Sequence, residues 1–258
     1  MSDPIVWIVL FPLFGAVLCA LAGPWAKTIC YPVSILSMIA SVWASVNTLL
    51  QAVEASTHEV SYILGGWSLD LFPRGVGIEF RADILGGLIT LVVTGVGLIV
   101  TLYSRLPVQR ETPGKESMYY GLFLLQIAGL AGIALTGDAF NLYVLIEVAA
   151  LTGYGLIALG SNRAAAATFN YVILGTIGAS FYLLGVGYLY LKTGTLNMVG
   201  IREVIEANQM YDSPAMQVAF VLVLLGILIK MAFSLSMHGF RMPIATLLPP
   251  PHACLPPS

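Results

Sequence analysis

AMQVAFVLVLLGILIKMAFSLS, residues 215–236, is an apolar run interrupted by a single charge, Lys230. About 22 residues rising 1.5 Å each reach roughly 33 Å as a helix, enough to cross the hydrocarbon core of a bilayer. Working outwards, windows of the same kind lie at about 5–23, 29–53, 83–103, 118–137, 139–160 and 167–191, which brings the total to about seven. The whole chain agrees with this reading. It is 58% hydrophobic and only 9% charged over 258 residues, with a mean hydropathy of +0.90, so its solvent is lipid. The expected fold is an all-α integral membrane bundle of about seven transmembrane helices. The first window is preceded by Asp3 and by no Lys or Arg, so it reads as a retained helix and not as a secretory leader.

Two connections are long enough to lie outside the membrane. In residues 54–82, two β-prone runs (60–64 and 76–80) flank the turn signals Gly65-Gly66 and Pro73-Arg74-Gly75, which predicts a small extramembrane β-hairpin. In residues 192–214 the run IREVIEANQM places Ile201, Val204, Ile205 and Met210 at rough helical spacing ahead of Pro214, which predicts a short interfacial helix. Lys27, Arg105, Arg110, Lys115, Arg163 and Arg241 would face inward if the N-terminus is outside, against Arg74, Arg81, Lys192 and Arg202 on the outer side. The excess favours an outside N-terminus.

Among thirteen acidic residues only Glu147 falls deep within a span, and among eleven basic residues only Lys230 does; Asp83 and Asp138 mark span starts. A charge at the bilayer centre costs about 2.5–3.5 kcal/mol on insertion scales. Two such residues are therefore candidates for proton transfer. An ammonium and a carboxylate in contact keep their charges, whereas groups parted in an apolar medium do not, so their separation governs where a proton resides. The bland alternative is a structural scaffold in which Glu147 and Lys230 form a static interhelical bridge. Glu147 shares its helix face with Tyr143, Val144, Leu151 and Tyr154, and the tyrosine hydroxyls offer it solvation.

Other chemistry is not expected. Cys19, Cys30 and Cys254 make no metal-ligand spacing, and the first two sit in apolar windows as small hydrophobes. No Gly-rich phosphate loop, nucleophile constellation, metal site or cofactor site stands out, so no catalytic centre is expected. A net charge of −2 with no basic stripe argues against nucleic acid as a partner. An independent metabolite transporter would need a second set of buried polar groups to line a pocket. The small residues of ILGTIGASFYLLGVGY, among them Gly175, Gly178, Ala179 and Gly185, read as close helix packing.

Four strings, GIEFRADILGGLITLVVTGVGLIVTLYS (77–104), LTGDAFNLYVLIEVAALTGYGLIALG (135–160), ATFNYVILGTIGASFYLLGVGYLYLKTGTLNM (167–198) and LLGILIKMAF (224–233), resemble one known family. It comprises the antiporter-like proton-translocating subunits of respiratory complex I, membrane-bound hydrogenases and Mrp-type multisubunit cation/proton antiporters. The texture is most similar to the D subunit of the Mrp-type Na⁺/H⁺ antiporter; the N, M and L subunits of NADH-quinone oxidoreductase are its relatives. The resemblance implies the N-terminal half of such a protein, with leading helices over 1–104 and an incomplete first repeat over 105–233. It makes Glu147 the family's fifth-helix glutamate and Lys230 its seventh-helix lysine. It further implies proton translocation coupled to Na⁺ exchange or, alternatively, to electron transport in partner subunits. The implied partners are other membrane subunits, protons, Na⁺ and the lipid of the inner cell membrane.

After Lys230 the resemblance stops. The family continues with a string like FFPLHxWLPDAYxxAP and about seven more helices, whereas this chain reads FSLSMHGFRMPIATLLPPPHACLPPS (233–258). Back-translated with suitable third bases and read in the neighbouring frame, residues 236–249 can encode HAWLPDAYSYAP, with Gly239 forcing the GG of its Trp codon and Met242 the AT of its Asp codon. Residues 234–258 are therefore expected to be an out-of-frame tail that truncates the chain after its seventh helix. His238 sits eight residues beyond Lys230 where the family spacing is seven, and with Arg241 and Cys254 it carries no function on this reading. Resequencing the coding DNA checks this: a single-base change near the Phe233 codon restores the family peptide, and failure of every such change to do so removes the idea.

Overall fold

The computed structural model describes residues 4–23, 27–55, 57–64, 77–160 and 164–236. In chain order these form α1 (Pro4–Ala22), α2 (Lys27–Glu54), β1 (Glu59–Ile63), β2 (Glu79–Asp83), α3 (Ile84–Tyr103), α4 (Arg105–Glu111), α5 (Glu116–Leu135), α6 (Ala139–Ala158), α7 (Ala164–Thr193), α8 (Met198–Ala207) and α9 (Pro214–Ser236). Seven helices among the described residues, α1, α2, α3, α5, α6, α7 and α9, are long and apolar enough to cross a membrane. The seven windows read from composition are thus all helical. The turn residues 65–76 of the expected hairpin and the tail residues 237–258, with His238, Arg241 and Cys254, lie outside the described residues.

Several helices start where short polar side chains satisfy free backbone N–H groups. Asp83 accepts from the Gly86 N–H at 2.6 Å at the head of α3, and Asp138 accepts from the Asn141 N–H at 2.7 Å at the head of α6. Asn197 caps α8 by accepting from Val199 and Gly200 at 3.0 and 3.1 Å. These caps explain why two acidic residues sit at span ends while Glu147 does not. The interfacial helix begins at Met198, earlier than its Ile201 periodicity suggests, because Asn197 supplies the cap.

The hairpin is present, but its second strand runs over Glu79–Asp83 and not over 76–80. The antiparallel register pairs Tyr62 with Phe80 and Val60 with Ala82. Phe80 and Ala82 point inward and are buried beside Ile5, Ile8, Ala131 and Leu135, and Asp83 passes directly into α3. Inward alternation against the bundle thus sets the register. The helix α4 has no counterpart among the expected elements, being only one to two turns with Pro107 inside it; buried Val108 anchors it to the core of α1, α2 and α5.

The helices α1, α2, α3 and α5 pack into one cluster, and α6, α7 and α9 extend from α5 in succession. Between α2 and α3 runs a seam of fully buried hydroxyls, Ser41, Ser45, Thr48, Thr90 and Thr94. Most bond the carbonyl one turn back in their own helix, such as Thr90 to Gly86 at 2.7 Å, while Ser41 donates to Ile8 of α1 at 2.8 Å. Ser45 and Thr94 meet across the seam at 3.2 Å. In hydrocarbon such groups have no water to turn to, and small hydroxylated residues also let helices approach closely. Apolar side chains such as Leu36, Trp43, Ile99 and Leu191 face outward, the inverse of a water-soluble surface.

The α7–α9 seam is especially tight. A Cβ at Gly226 would lie 2.6 Å from the Tyr182 backbone nitrogen and 2.8 Å from the Gly178 carbonyl oxygen, and one at Gly185 would lie 2.8 Å from the Val223 nitrogen. Backbone atoms cannot yield as a flexible side chain can.

At one face, the three connections are laced together. Gly137 donates to the Glu79 carbonyl at 2.9 Å, Met198 to Gly137 at 2.9 Å and Ala139 to Leu196 at 2.9 Å. The Asn197 amide also donates to the Glu79 carboxylate. The free edge of β2 is covered in this way. Burial pushes the Asp138 carboxyl above its ordinary range, against the backbone N–H bonds of Asn141 and Phe140 that pull it down.

Two expectations follow from these contacts. Gly226→Val lowers the stability of the detergent-solubilised chain by about 1–3 kcal/mol through overpacking, whereas Gly95→Ala, whose Cβ would meet nothing within 4 Å, is neutral or stabilising; thermal unfolding separates them. Because the folded state holds the Asp138 proton more tightly than the unfolded chain, its stabilising share is complete below the ordinary carboxylate range and is lost as pH rises through the raised value. Unfolding of Asp138→Asn, which keeps a capping side chain, therefore lacks that decline in stability with rising pH.

Candidate proton-transfer site

Glu147 lies midway along α6 and Lys230 in the last third of α9, separated by 83 residues in sequence. The fold brings them together: the Lys230 ammonium donates to the Glu147 carboxylate in an ion pair whose side chains are 18% and 23% exposed. The other ion pairs among the described residues lie outside the spans. Arg81 meets Glu59 across the hairpin, and Arg202 meets Glu206 at 2.8 Å along α8. The helices α6 and α9 are also the least enclosed of the spans, so the part-buried ion pair sits on the two helices with most of their surface uncovered.

The helix α7 stands beside both and sets their separation. Gly226 is one turn before Lys230, and its close approach to Gly178 and Tyr182 fixes the height of Lys230 along α7. On the other flank, Tyr182 donates from its hydroxyl to the Ala139 carbonyl at 3.1 Å, which ties the head of α6 to α7. The α5–α6 contact is also close: a Cβ at Gly129 would meet the Ala149 nitrogen at 3.1 Å. Inside it, the Thr152 hydroxyl, with one proton to donate, lies 2.7 Å from both the Gln126 side-chain oxygen and the Val148 carbonyl.

Sequence reasoning singles out Glu147 and Lys230 and leaves several polar contacts unread. Gln126 with Thr152 and the hydroxyl seam of α2 and α3 depend on which helix faces meet, which no single-helix pattern reports. Gln126 is visible as an amide in an otherwise apolar window, and that is its only signal. Spacing makes Tyr154 a face neighbour of Glu147 but does not reveal its packing: its ring stacks on Tyr171 with centroids 6.4 Å apart. Cys19 and Cys30 prove adjacent, each thiol directed at the other's carbonyl at 3.6 and 3.7 Å, and both are free and buried. Among the described residues, no three His, Cys, Asp or Glu side chains gather closely enough to hold a metal ion.

Known proteins share this arrangement of spans. The family model described as NADH:quinone oxidoreductase/Mrp antiporter, TM, matches residues 136–238, a stretch that contains both Glu147 and Lys230. The N subunit of the NADH-quinone oxidoreductase of Desulforudis audaxviator is 36% identical over 239 residues, covering 91% of this chain and 45% of that protein. The D subunit of the Na⁺/H⁺ antiporter of Bacillus subtilis is 31% identical over 188 residues, covering 72% of this chain and 34% of its own length. The structure of the membrane-bound sulfane sulfur reductase, an archaeal respiratory membrane complex, superposes with a TM-score of 0.78 at 28% identity over 88% of this chain and 44% of the matched one. The chain thus spans less than half the length of these relatives. It is a multi-pass membrane protein that belongs to the antiporter-like membrane subunits shared by NADH:quinone oxidoreductases and Mrp antiporters.

Proposed function

We propose that this chain is a proton-translocating subunit of a multisubunit cation/proton antiporter exchanging Na⁺ for H⁺, with Glu147 and Lys230 as the proton-transfer pair. The observation that carries the reading is the ion pair itself: two ionisable residues inside apolar spans, in contact, on helices that both pack on α7. A charge in hydrocarbon is tolerated where it has a partner or a task. A small relative movement of α6 and α9 changes the contact, and with it the proton affinity of both groups. Protonation of the carboxylate releases the ammonium from its counter-charge, and separation favours passing the lysine proton onward.

The rest of the reading is supported by the family resemblance and by the distribution of basic residues. The partners are other membrane subunits and the lipid around them, the membrane is the inner cell membrane, and the N-terminus lies outside. With that orientation, the laced connections of the hairpin, residues 136–138 and α8 are external, while α4 with Arg105 and Arg110 is internal, as the distribution of basic residues favours. Residues 1–104 form the leading unit and 105–233 an incomplete antiporter repeat, with 234–258 an out-of-frame extension. A second reading, a proton-pumping membrane subunit of a quinone oxidoreductase, is favoured by the 36% identity to the Desulforudis protein. Both readings assign the pair the same task and differ in what drives it.

In the frame-restored protein assembled with its partner subunits, Lys230→Ala lowers proton flux in inverted membrane vesicles at least about tenfold, equivalent to more than about 1.4 kcal/mol, while native gels show unchanged assembly. Wild-type flux in that variant refutes the transfer role. Exchanging the charges, Glu147→Lys with Lys230→Glu, separates a relay from a scaffold: a static bridge tolerates the exchange, and a directional path loses flux.

A further inference from the structure

The hydroxyl of Tyr154 occupies an unusual place. It lies where a side chain on α7 would begin: a Cβ at Gly175 would collide with the Tyr154 oxygen and stand 3.0 Å from its ring carbon Cζ. Gly175 is buried within a helix, where glycine costs about 1 kcal/mol relative to alanine. The room it leaves is filled by one polar atom from the neighbouring helix. Stacking on Tyr171 accounts for the ring of Tyr154 but not for the hydroxyl, since phenylalanine would stack as well.

The height of that hydroxyl relative to Lys230 follows from the α7–α9 seam. Gly185 faces Val223 and Ala219, and Gly178 faces Gly226 and Ile229, so the helices are antiparallel and each step forward on α9 is a step back on α7. Gly226 meets Tyr182 and Gly178; Lys230, one turn further on, comes level with the turn of α7 that contains Gly175. The hydroxyl and the lysine therefore lie at one height along α7. Glu147 stands seven residues before Tyr154 on α6, about 10 Å nearer the capped end of that helix. Helical side chains lean towards the N-terminus of their own helix, so Lys230 leans towards Glu147 and has Tyr154 behind it.

We propose that the Tyr154 hydroxyl, seated in the notch left by Gly175, is a second hydrogen-bond station for the Lys230 ammonium, on the side of the ion pair towards the C-terminal end of α6. This rests on the transfer role of Glu147 and Lys230. When Glu147 takes up a proton and becomes neutral, the ammonium loses its counter-charge and turns to the phenolic oxygen. If the lysine proton moves on, that oxygen accepts it as its own O–H proton passes to a water on the far side; the lysine is left a neutral amine and the tyrosine stays neutral. Tyr154 acts here as a positioning residue and proton conduit, not as an ionised intermediate. The titratable side chains that α6 and α7 carry along this stretch are Tyr143, Glu147, Tyr154, Tyr171 and Tyr182, and α9 carries Lys230 alone.

The test uses the full chain, isotopically labelled at its lysines and reconstituted in lipid nanodiscs, with the Lys230 Nζ resonance identified by its loss in Lys230→Ala. Glu147→Gln removes the first partner and mimics the protonated carboxyl. In that background Tyr154→Phe shifts the Lys230 resonance by more than its line width, and so does Gly175→Ala, which keeps the tyrosine but fills the notch. Tyr171→Phe, which removes the neighbouring hydroxyl, leaves it in place. A Lys230 resonance at the same position in Glu147→Gln with and without Tyr154→Phe overturns the proposal, as does an equal shift on Tyr171→Phe. Neither result depends on transport, so loss of the transfer role in the vesicle assay and loss of the tyrosine station are separately visible.

Discussion

Hydrocarbon offers no hydrogen-bond partner, and this condition shapes the polar atoms throughout the fold. Backbone groups are satisfied within helices, buried Ser and Thr hydroxyls turn back to carbonyls one turn away, and the heads of α3 and α6 carry carboxylate caps where they enter the apolar layer. At one laced face β2, residues 136–138 and the start of α8 complete each other's hydrogen bonds. Under that condition an ammonium and a carboxylate inside the spans can persist only because they meet.

Their meeting depends on small residues. Lys230 reaches Glu147 because Gly226, Gly178 and Gly185 let α9 lie directly on the backbone of α7, while Gly129 and Ala149 bring α5 against α6. The packing that fixes the helices therefore also fixes the electrostatics. An extra methyl group in the α7–α9 seam moves a charge as well as a helix.

Much of this is legible in the sequence. Helix length is written in runs of apolar residues, and the rarity of charge in those runs makes Glu147 and Lys230 conspicuous. The caps Asp83 and Asp138 are visible as acidic residues at span edges. What cannot be read is everything that depends on which faces oppose each other. The register of the hairpin follows burial of Phe80 and Ala82, not β propensity, and so shifts towards Asp83. The helix α4 is too short for periodicity to reveal. The notch that Gly175 offers to Tyr154 joins residues on two helices, and in either helix alone each has an ordinary explanation, a small residue for packing and an aromatic among apolar neighbours.

The laced face has a mechanical consequence. Two helices clasped at one end move relative to each other as the arms of tongs do, little at the clasp and more with distance from it. The helix α6 is held at its head by the Ala139 bond to Leu196 and by Tyr182, whereas further along it is joined to α5 by the Thr152–Gln126 hydrogen bond and rests on α7 through the stacked rings of Tyr154 and Tyr171. A tilt of α7 against α6 that pivots at the clasp therefore displaces the two helices little at the cap, more at Glu147, and more again where the Tyr154 hydroxyl rests against the bare backbone of Gly175.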